Sequence, residues 1–306
     1  HKEYRRQRQM CIRDSFKGYK SITGKDYVER CILKAIKNDI VIYSAHTNLD
    51  NAQGGVNYKI AEKIGLKNLK VLEPKENSLV KLVTFVPYAQ ADAVREALFA
   101  AGCGSIGNYD SCSYNLKGEG TFRANEGTHP FCGTIGELHR EDEVRIETIL
   151  PIYKKAEVVK ALLSAHPYEE PAFDLYPLQN NWQQAGAGIV GELDEPETEL
   201  EFLKRIKKTF EVGCVRHNKL TGREIQKVAL CGGAGAFLLP QAIRTGADIF
   251  ITGEIKYHDY FGHEGDILMA EIGHYESEQY TKEIFYSIIR DLFPNFALQL
   301  SKINTL

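Results

Sequence analysis

Short apolar runs and helically spaced apolar stripes alternate along most of this chain. Near its C-terminal end, Asp266-Ile-Leu-Met-Ala-Glu-Ile272 is mostly apolar and bounded by Gly265 and Gly273, the pattern of a buried strand. Tyr280, Ile284, Phe285, Ile288, Ile289 and Leu292 then recur at helical spacing until Pro294, which predicts a helix with one inward side. Upstream, the same alternation predicts a strand over 188–193, an amphipathic helix over 197–210, a strand over 225–231, a helix through Arg244 and a strand over 248–252. Earlier still, Val28, Ile32, Leu33 and Ile36 stripe a helix over about 25–38, which leads into an expected strand, Ile40-Val-Ile-Tyr-Ser-Ala45. Residues 51–65 read as a loop and a short helix.

Between Lys81 and about Pro177 the order changes. Strands are expected at 82–86 and 144–150, each followed by a Pro, a Tyr and a helix, at about 91–101 and 155–165. Two such strand-helix-strand halves predict a ferredoxin-like or related split sandwich of roughly 100 residues. The intervening 109–139 is rich in Gly, Ser, Thr and Asn and reads as extended hairpins. The expected fold class is therefore α/β, a mixed sheet flanked by helices, with an α+β domain at 81–179 inserted between core segments 16–80 and 180–306. Residues 1–15, rich in Arg and Gln and without periodicity, are expected to be disordered or foreign to the native protein.

Composition narrows the class of function. The chain has 306 residues, 43% of them hydrophobic, enough for a substantial core in one or two domains. A formal charge of −3 gives no overall basic field, so nucleic acid as a partner has no electrostatic support at the whole-chain level. No apolar run approaches the roughly 20 residues needed to span a bilayer, and the charged N-terminus has no signal-peptide h-region. The seven cysteines are scattered and form no Cys-x-x-Cys pair, which argues against a disulfide framework or a zinc knuckle and fits a reducing cytoplasm.

Candidate chemistry sits where strands end. His274 and Glu278 are four apart at a strand-to-helix junction, a spacing that lets both reach one cation. The same pair also reads as an N-terminal His and a first-turn Glu that complements the helix dipole. His46 and Asp50 follow the expected strand 40–45, and the segment Gly253-Glu-Ile-Lys-Tyr-His258-Asp259 follows strand 248–252. In a parallel sheet these clusters share the carboxyl edge, where open α/β sheets bind ligands. The turn Cys231-Gly-Gly-Ala-Gly235 matches neither a P-loop nor Gly-x-Gly-x-x-Gly; tight strand-helix packing is the favoured reading, with phosphate contact second. The segment 165–171 carries His166, Glu169 and Glu170 and reads as a solvated turn whose Tyr168 packs back on its domain.

Three of these stretches, His46-Thr-Asn-Leu-Asp50, Asp248-Ile-Phe-Ile-Thr-Gly-Glu-Ile-Lys-Tyr-His258 and Gly273-His-Tyr-Glu-Ser-Glu278, together resemble the NIF3 family of dinuclear-metal proteins, also named GTP cyclohydrolase 1 type 2 homologues. The resemblance runs from about Phe16 onward, and the segment from Lys81 to about Gln179 looks like the PII/CutA-like insert of some bacterial members. It implies Asp50, His274 and Glu278 as metal ligands, with His46 and His258 beside the site as orienting or proton-handling groups. It also implies two divalent ions of Zn, Fe or Mn, a nucleotide or related small-molecule substrate, and a toroidal homohexamer. The family's His-His-Pro motif would fall at about Cys11-Ile-Arg13 and is absent, as are the core elements expected upstream and the family's usual ending beyond Leu306. A fragmentary or misassembled gene product is therefore expected, one that binds fewer or weaker ions than two.

Overall fold

The computed structural model describes residues 21–301; the expected foreign stretch 1–15 lies outside them. Helix α1 (Tyr27–Lys37) is capped by Asp26, whose side chain accepts a hydrogen bond from the Glu29 N–H. The short α2 (Thr47–Asp50) and α3 (Val56–Ile64) precede strands β1 (Lys67–Lys75) and β2 (Leu79–Pro87). Then come α4 (Ala91–Ala100), β3 (Ser113–Arg123), β4 (Leu138–Pro151), α5 (Lys155–Ala165), β5 (Phe173–Leu178) and β6 (Trp182–Thr198). The last third contains α6 (Glu199–Thr209), β7 (Arg216–His217), β8 (Glu224–Cys231), α7 (Leu239–Arg244), β9 (Ile249–Thr252), β10 (Leu268–Glu271), α8 (His274–Glu278) and α9 (Thr281–Leu292).

The chain divides into two compact units. One takes the described residues up to Glu73 and those from Gly186 onward; the other is Pro74–Ala185. The first is built on a six-stranded sheet ordered β1-β6-β8-β9-β10-β7. Its central strands β8, β9 and β10 run parallel, while β6 and β7 lie antiparallel beside them, so the sheet is mixed. Ile249, Ile251, Leu268 and Ala270 project to one face, against Phe202 and Ile206 of α6 and Ile60 of α3; Phe250 and Met269 project to the other, against Leu238 and Ala242. Alternation of side chains along short, doubly covered strands explains why 249–251 and 268–270 are apolar without a break and why both strands are buried from end to end. Each fully buried Phe or Leu here contributes roughly 1.5–3 kcal/mol of transfer free energy.

The second unit is a four-stranded antiparallel sheet ordered β3-β4-β2-β5, with the chain order strand, helix, strand, strand, helix, strand. Leu82, Val86, Ile146 and Leu150 meet Val94, Leu98, Val158 and Leu162 of the two helices in one core. The stretch expected to form extended hairpins is one long hairpin of β3 and β4, with residues 134–137 in its connection and Leu138 opening β4.

The expected strand over 40–45 is not one. Residues 40–45 have no strand pairing, and Ile40, Val41, Ile42 and Tyr43 are more than half exposed. An apolar β-prone run becomes a strand only when its N–H and C=O groups find a neighbouring strand. The edges of the six-stranded sheet are occupied by β1 and β7, and β1 was not anticipated. The apolar stripe of α1 is likewise less covered than its periodicity predicts: Ile36 is exposed and Val28 only half-buried.

Candidate metal centre

The parallel register of β8, β9 and β10 lays three turns side by side. Cys231 pairs with Thr252, and Thr252 with Glu271, so Gly232, Gly253 and Ile272 leave the sheet at one level. The turns are then tied together. Gly253 N–H and Glu254 N–H both donate to the Gly233 carbonyl, at 2.9 and 3.1 Å, and the Thr252 hydroxyl donates to the same oxygen at 3.1 Å. Gly233 N–H donates to Ser277 Oγ at 3.0 Å, and Ser277 passes its own proton to the His274 carbonyl at 2.7 Å. These buried hydrogen bonds fix where α8 begins.

His274 and Glu278 occupy the first and last positions of α8. His274 Nε2 lies 3.6 Å from Glu278 Oε1, so the two side chains share one side of the helix turn. On the far side of the ring, Nδ1 lies 2.5 Å from Glu254 Oε1. A carboxylate on one imidazole nitrogen orients the ring and leaves the other nitrogen free to ligate. Gly233, at φ +63°, forms the wall opposite: a Cβ there would come within 2.4 Å of Glu278 Oε1 and 3.2 Å of His274 Nε2. The glycine-rich turn spends the N–H groups of Gly232, Gly233 and Gly235 on Asn57, Ser277 and Thr252, and the missing side chain of Gly233 leaves room for the imidazole and carboxylate.

Asp50 arrives from α2. Its carbonyl accepts from Asn57 Nδ2 at 2.9 Å, while Asn57 Oδ1 accepts from Gly232 N–H at 2.9 Å, so this fully buried amide pins the Asp50 segment to the β8 turn. Burial pushes the Asp50 carboxyl up from its ordinary pKa, against the pull of His46 and His274. Burial also raises Glu278; His274 and His46 oppose that rise and the negative charges of Asp50 and Glu254 reinforce it. Burial, helped by the Asp50 and Glu278 carboxylates, drives the Cys231 thiol up to about 12. Two partly desolvated carboxylates that repel each other favour either a proton or a cation between them. The donor set of imidazole and carboxylates suits a divalent ion such as Zn, Mn or Fe.

His46 and His274 lie near enough for their charges to act on the Asp50 and Glu278 carboxylates, but the ligand atoms of Asp50, His274 and Glu278 do not all lie within 4.8 Å of one another. His46 reaches the group from the N-cap position of α2, with its backbone N–H on Asn48 Oδ1 and its Nδ1 2.9 Å from Thr47 Oγ1, rather than from a strand end. His258 lies on an exposed single turn at 257–260, its ring edge-on to Tyr257, and is not a partner of the other four. Sequence reading missed Glu254, Asn57 and Gly233 as site residues. Glu254 was visible inside the motif after strand 248–252; Asn57 carried no signal.

A family model, Duf34/NIF3 (NGG1p interacting factor 3), matches residues 15–305. The chain belongs to the DUF34/NIF3 family. It is 48% identical over 244 residues to a GTP cyclohydrolase 1 type 2 homolog of Halalkalibacterium halodurans, covering 79% of this chain and 66% of that protein. A Bacillus subtilis protein of the same name is 38% identical over 272 residues, covering 88% and 72%. The chain thus spans about two thirds of the length of these relatives. Among solved structures, a Bacillus cereus protein related to NIF3 superposes with a TM-score of 0.78 at 38% identity, over 95% of this chain and 79% of that one. A Staphylococcus aureus structure of the protein SA1388 superposes at 0.66 with 29% identity, over 95% and 78%.

Proposed function

We propose that this chain is a metal-dependent hydrolase of the GTP cyclohydrolase 1 type 2 class, acting on GTP or a related heterocycle. The observation that carries the reading is the His274–Glu278 pair, backed by Glu254 on the outer nitrogen of the ring and faced by Asp50. The name shared by the relatives supplies the substrate class.

A bound divalent ion would lower the pKa of a water and polarise a substrate oxygen. Asp50, His274 and Glu278 would hold that ion, and Glu254 would keep His274 in the tautomer that ligates through Nε2. His46, exposed at the rim, would accept and return protons as water adds to the imidazole carbon of the purine and the ring opens. His258 would serve the same purpose only after movement of the turn at 257–260. Two waters are consumed if the opened ring goes on to release formate. We further propose a cytoplasmic location and a self-assembling ring; among the described residues no helix is long and apolar enough to cross a membrane.

A second reading, a regulatory protein whose metal centre does no chemistry, draws on the Pro74–Ala185 unit. That unit has the strand and helix order of ferredoxin-like and PII-like domains. It holds a cavity of about 630 Å³ lined by Phe85, Leu116, Arg123, Phe131, Glu143 and Tyr168, of a size for a small ligand. Formate release from GTP with Mn²⁺ or Zn²⁺ separates the two readings. It is best measured on this chain and on a chimera carrying the N-terminal segment of the Halalkalibacterium relative. Turnover that disappears in Asp50→Ala and Glu278→Ala supports the hydrolase. No turnover in either protein, or equal turnover in the variants, removes it.

A further inference from the structure

The Pro74–Ala185 unit carries a second set of metal-type donors, unrelated in sequence to the first. Cys132 Sγ, a His139 ring nitrogen and a Glu141 carboxylate oxygen all lie within 4.8 Å of one another. His139 Nε2 and Glu141 Oε2 are 2.7 Å apart. We propose that these three side chains form a binding site for a thiophilic divalent cation of the zinc class, with a fourth position left for water or another donor.

The local fold explains why they meet. His139 and Glu141 are two apart on β4 and so project from the same face of the strand. Val144, Ile146 and Leu150 point the other way, into the core beneath the two helices. The face bearing His139, Glu141 and Glu143 is therefore the one not covered by those helices. Cys132 comes from the β3–β4 connection, which folds back over the strand at Gly133. There φ is +81°, and a Cβ would come within 2.9 Å of His139 Cβ and Cγ. A glycine at that position is what lets the thiol descend onto the imidazole.

The surroundings hold the cluster in place. The His139 ring packs on Phe122, 5.3 Å between centroids, and Phe122 and Phe131 both pack on Tyr168. The Tyr168 hydroxyl donates to Glu143 Oε1 at 2.8 Å and lies 4.0 Å from Cys132 Sγ. Glu143 is thus engaged by Tyr168, leaving Glu141 as the carboxylate for the ion. All three donors are part-buried, accessible to an ion yet confined by neighbours.

The donor chemistry selects the cation. A thiolate and a carboxylate together carry two negative charges, which one divalent ion neutralises, and the imidazole ligates as a neutral base. Sulfur excludes Ca²⁺ and Mg²⁺ as preferred occupants, since both take oxygen ligands. Three mixed sulfur, nitrogen and oxygen donors with an open position are a zinc-type set. Binding would replace the His139–Glu141 hydrogen bond with two metal bonds and release the Cys132 proton to solvent.

The test uses the full chain with Asp50→Ala and Glu278→Ala, which silences the first centre, so failure of one site is distinguishable from failure of the other. Titration of the metal-free protein with Co²⁺ should develop a thiolate-to-cobalt charge-transfer band at about one equivalent. Cys132→Ser should remove the band, and His139→Gln or Glu141→Gln should weaken binding at least about tenfold. A companion measurement needs no variant: Zn²⁺ should protect Cys132 of the unaltered chain from alkylation, read by peptide mass spectrometry, and EDTA should restore reactivity. Absence of a thiolate band, a band that survives Cys132→Ser, or alkylation of Cys132 indifferent to Zn²⁺ would each overturn the proposal.

Discussion

Glu254 and His274, twenty residues apart in the chain, meet at 2.5 Å because they follow adjacent parallel strands closely, Glu254 as the second residue after β9 and His274 as the third after β10. The contact sets the imidazole's orientation while both side chains remain about half exposed. Its worth lies in positioning, since a partly exposed pair contributes little to stability, typically under about 1 kcal/mol.

Replacing Glu254 by Gln should therefore leave the melting temperature of the metal-free protein nearly unchanged, yet weaken metal binding at His274 by about 10–100-fold. Calorimetric or competition titration with Zn²⁺ and Mn²⁺ measures this. Unaltered affinity would show that the carboxylate has no part in presenting the ring.

Gly233→Ala should damage the centre more than its backbone strain explains. Its φ of +63° costs an Ala about 1–2 kcal/mol, and the added Cβ also meets Glu278 and His274. Gly246→Ala is the control, with φ +70° and nothing within 4 Å of the added carbon. Both variants should lose similar thermal stability from strain, whereas only Gly233→Ala should lose metal binding. Equal metal affinity in the two would refute the role assigned to Gly233.

Glu278 should be a liability in the metal-free protein. Its pKa is raised in the fold by burial and by Asp50 and Glu254, despite His274 and His46. A carboxyl raised above its unfolded value favours the fold while protonated, at low pH, and that advantage is lost as pH rises through the folded value. Glu278→Gln should accordingly melt higher than the parent at pH 7 without metal, the difference narrowing below pH 4.5, and should gain nothing from added Zn²⁺. A parent that melts higher than Glu278→Gln in EDTA at pH 7 would contradict this.

Glu29 should behave in the opposite sense. Burial disfavours its charge, but the N–H groups of Thr23, Gly24 and Lys25 and the Thr23 hydroxyl all donate to one carboxylate oxygen, holding its pKa down to about 2. A depressed carboxyl stabilises above its unfolded pKa, near 4.5, and that contribution fades as pH falls toward 2. Denaturant unfolding of Glu29→Gln should show lower stability at pH 7 and a flatter decline between pH 4.5 and 2 than the parent. Parallel acid limbs would rule the loop anchor out.

Much of the first unit was legible because its strands are buried on both faces and its helices on one. The runs 228–231, 249–251 and 268–270 are apolar without alternation, and α6 and α9 carry single stripes, so the apolar pattern alone places them. The run 40–45 has the same apolar, β-branched character and forms no strand, because a strand is defined by a partner and its sequence names none. Strand β1 was missed for the converse reason: Lys67, Asn68, Lys70, Glu73 and Lys75 mask its two buried positions, Val71 and Leu72.

By itself the amino-acid sequence determined the kinds of element and most of their order, since periodicity and residue type are local properties; it offered Asp50, His274 and Glu278 as candidates for one chemistry only through a family resemblance. The tertiary structure decided which groups meet. It set Glu254 behind His274, emptied the space at Gly233, and ran the buried Asn57 amide from Asp50 to the β8 turn. It left His258 on an exposed turn outside the cluster and folded Cys132 onto the face of β4 that bears His139 and Glu141. Such meetings depend on strand register and on turns that only a glycine can make, and those are fixed when the sheet closes, over distances no local pattern spans.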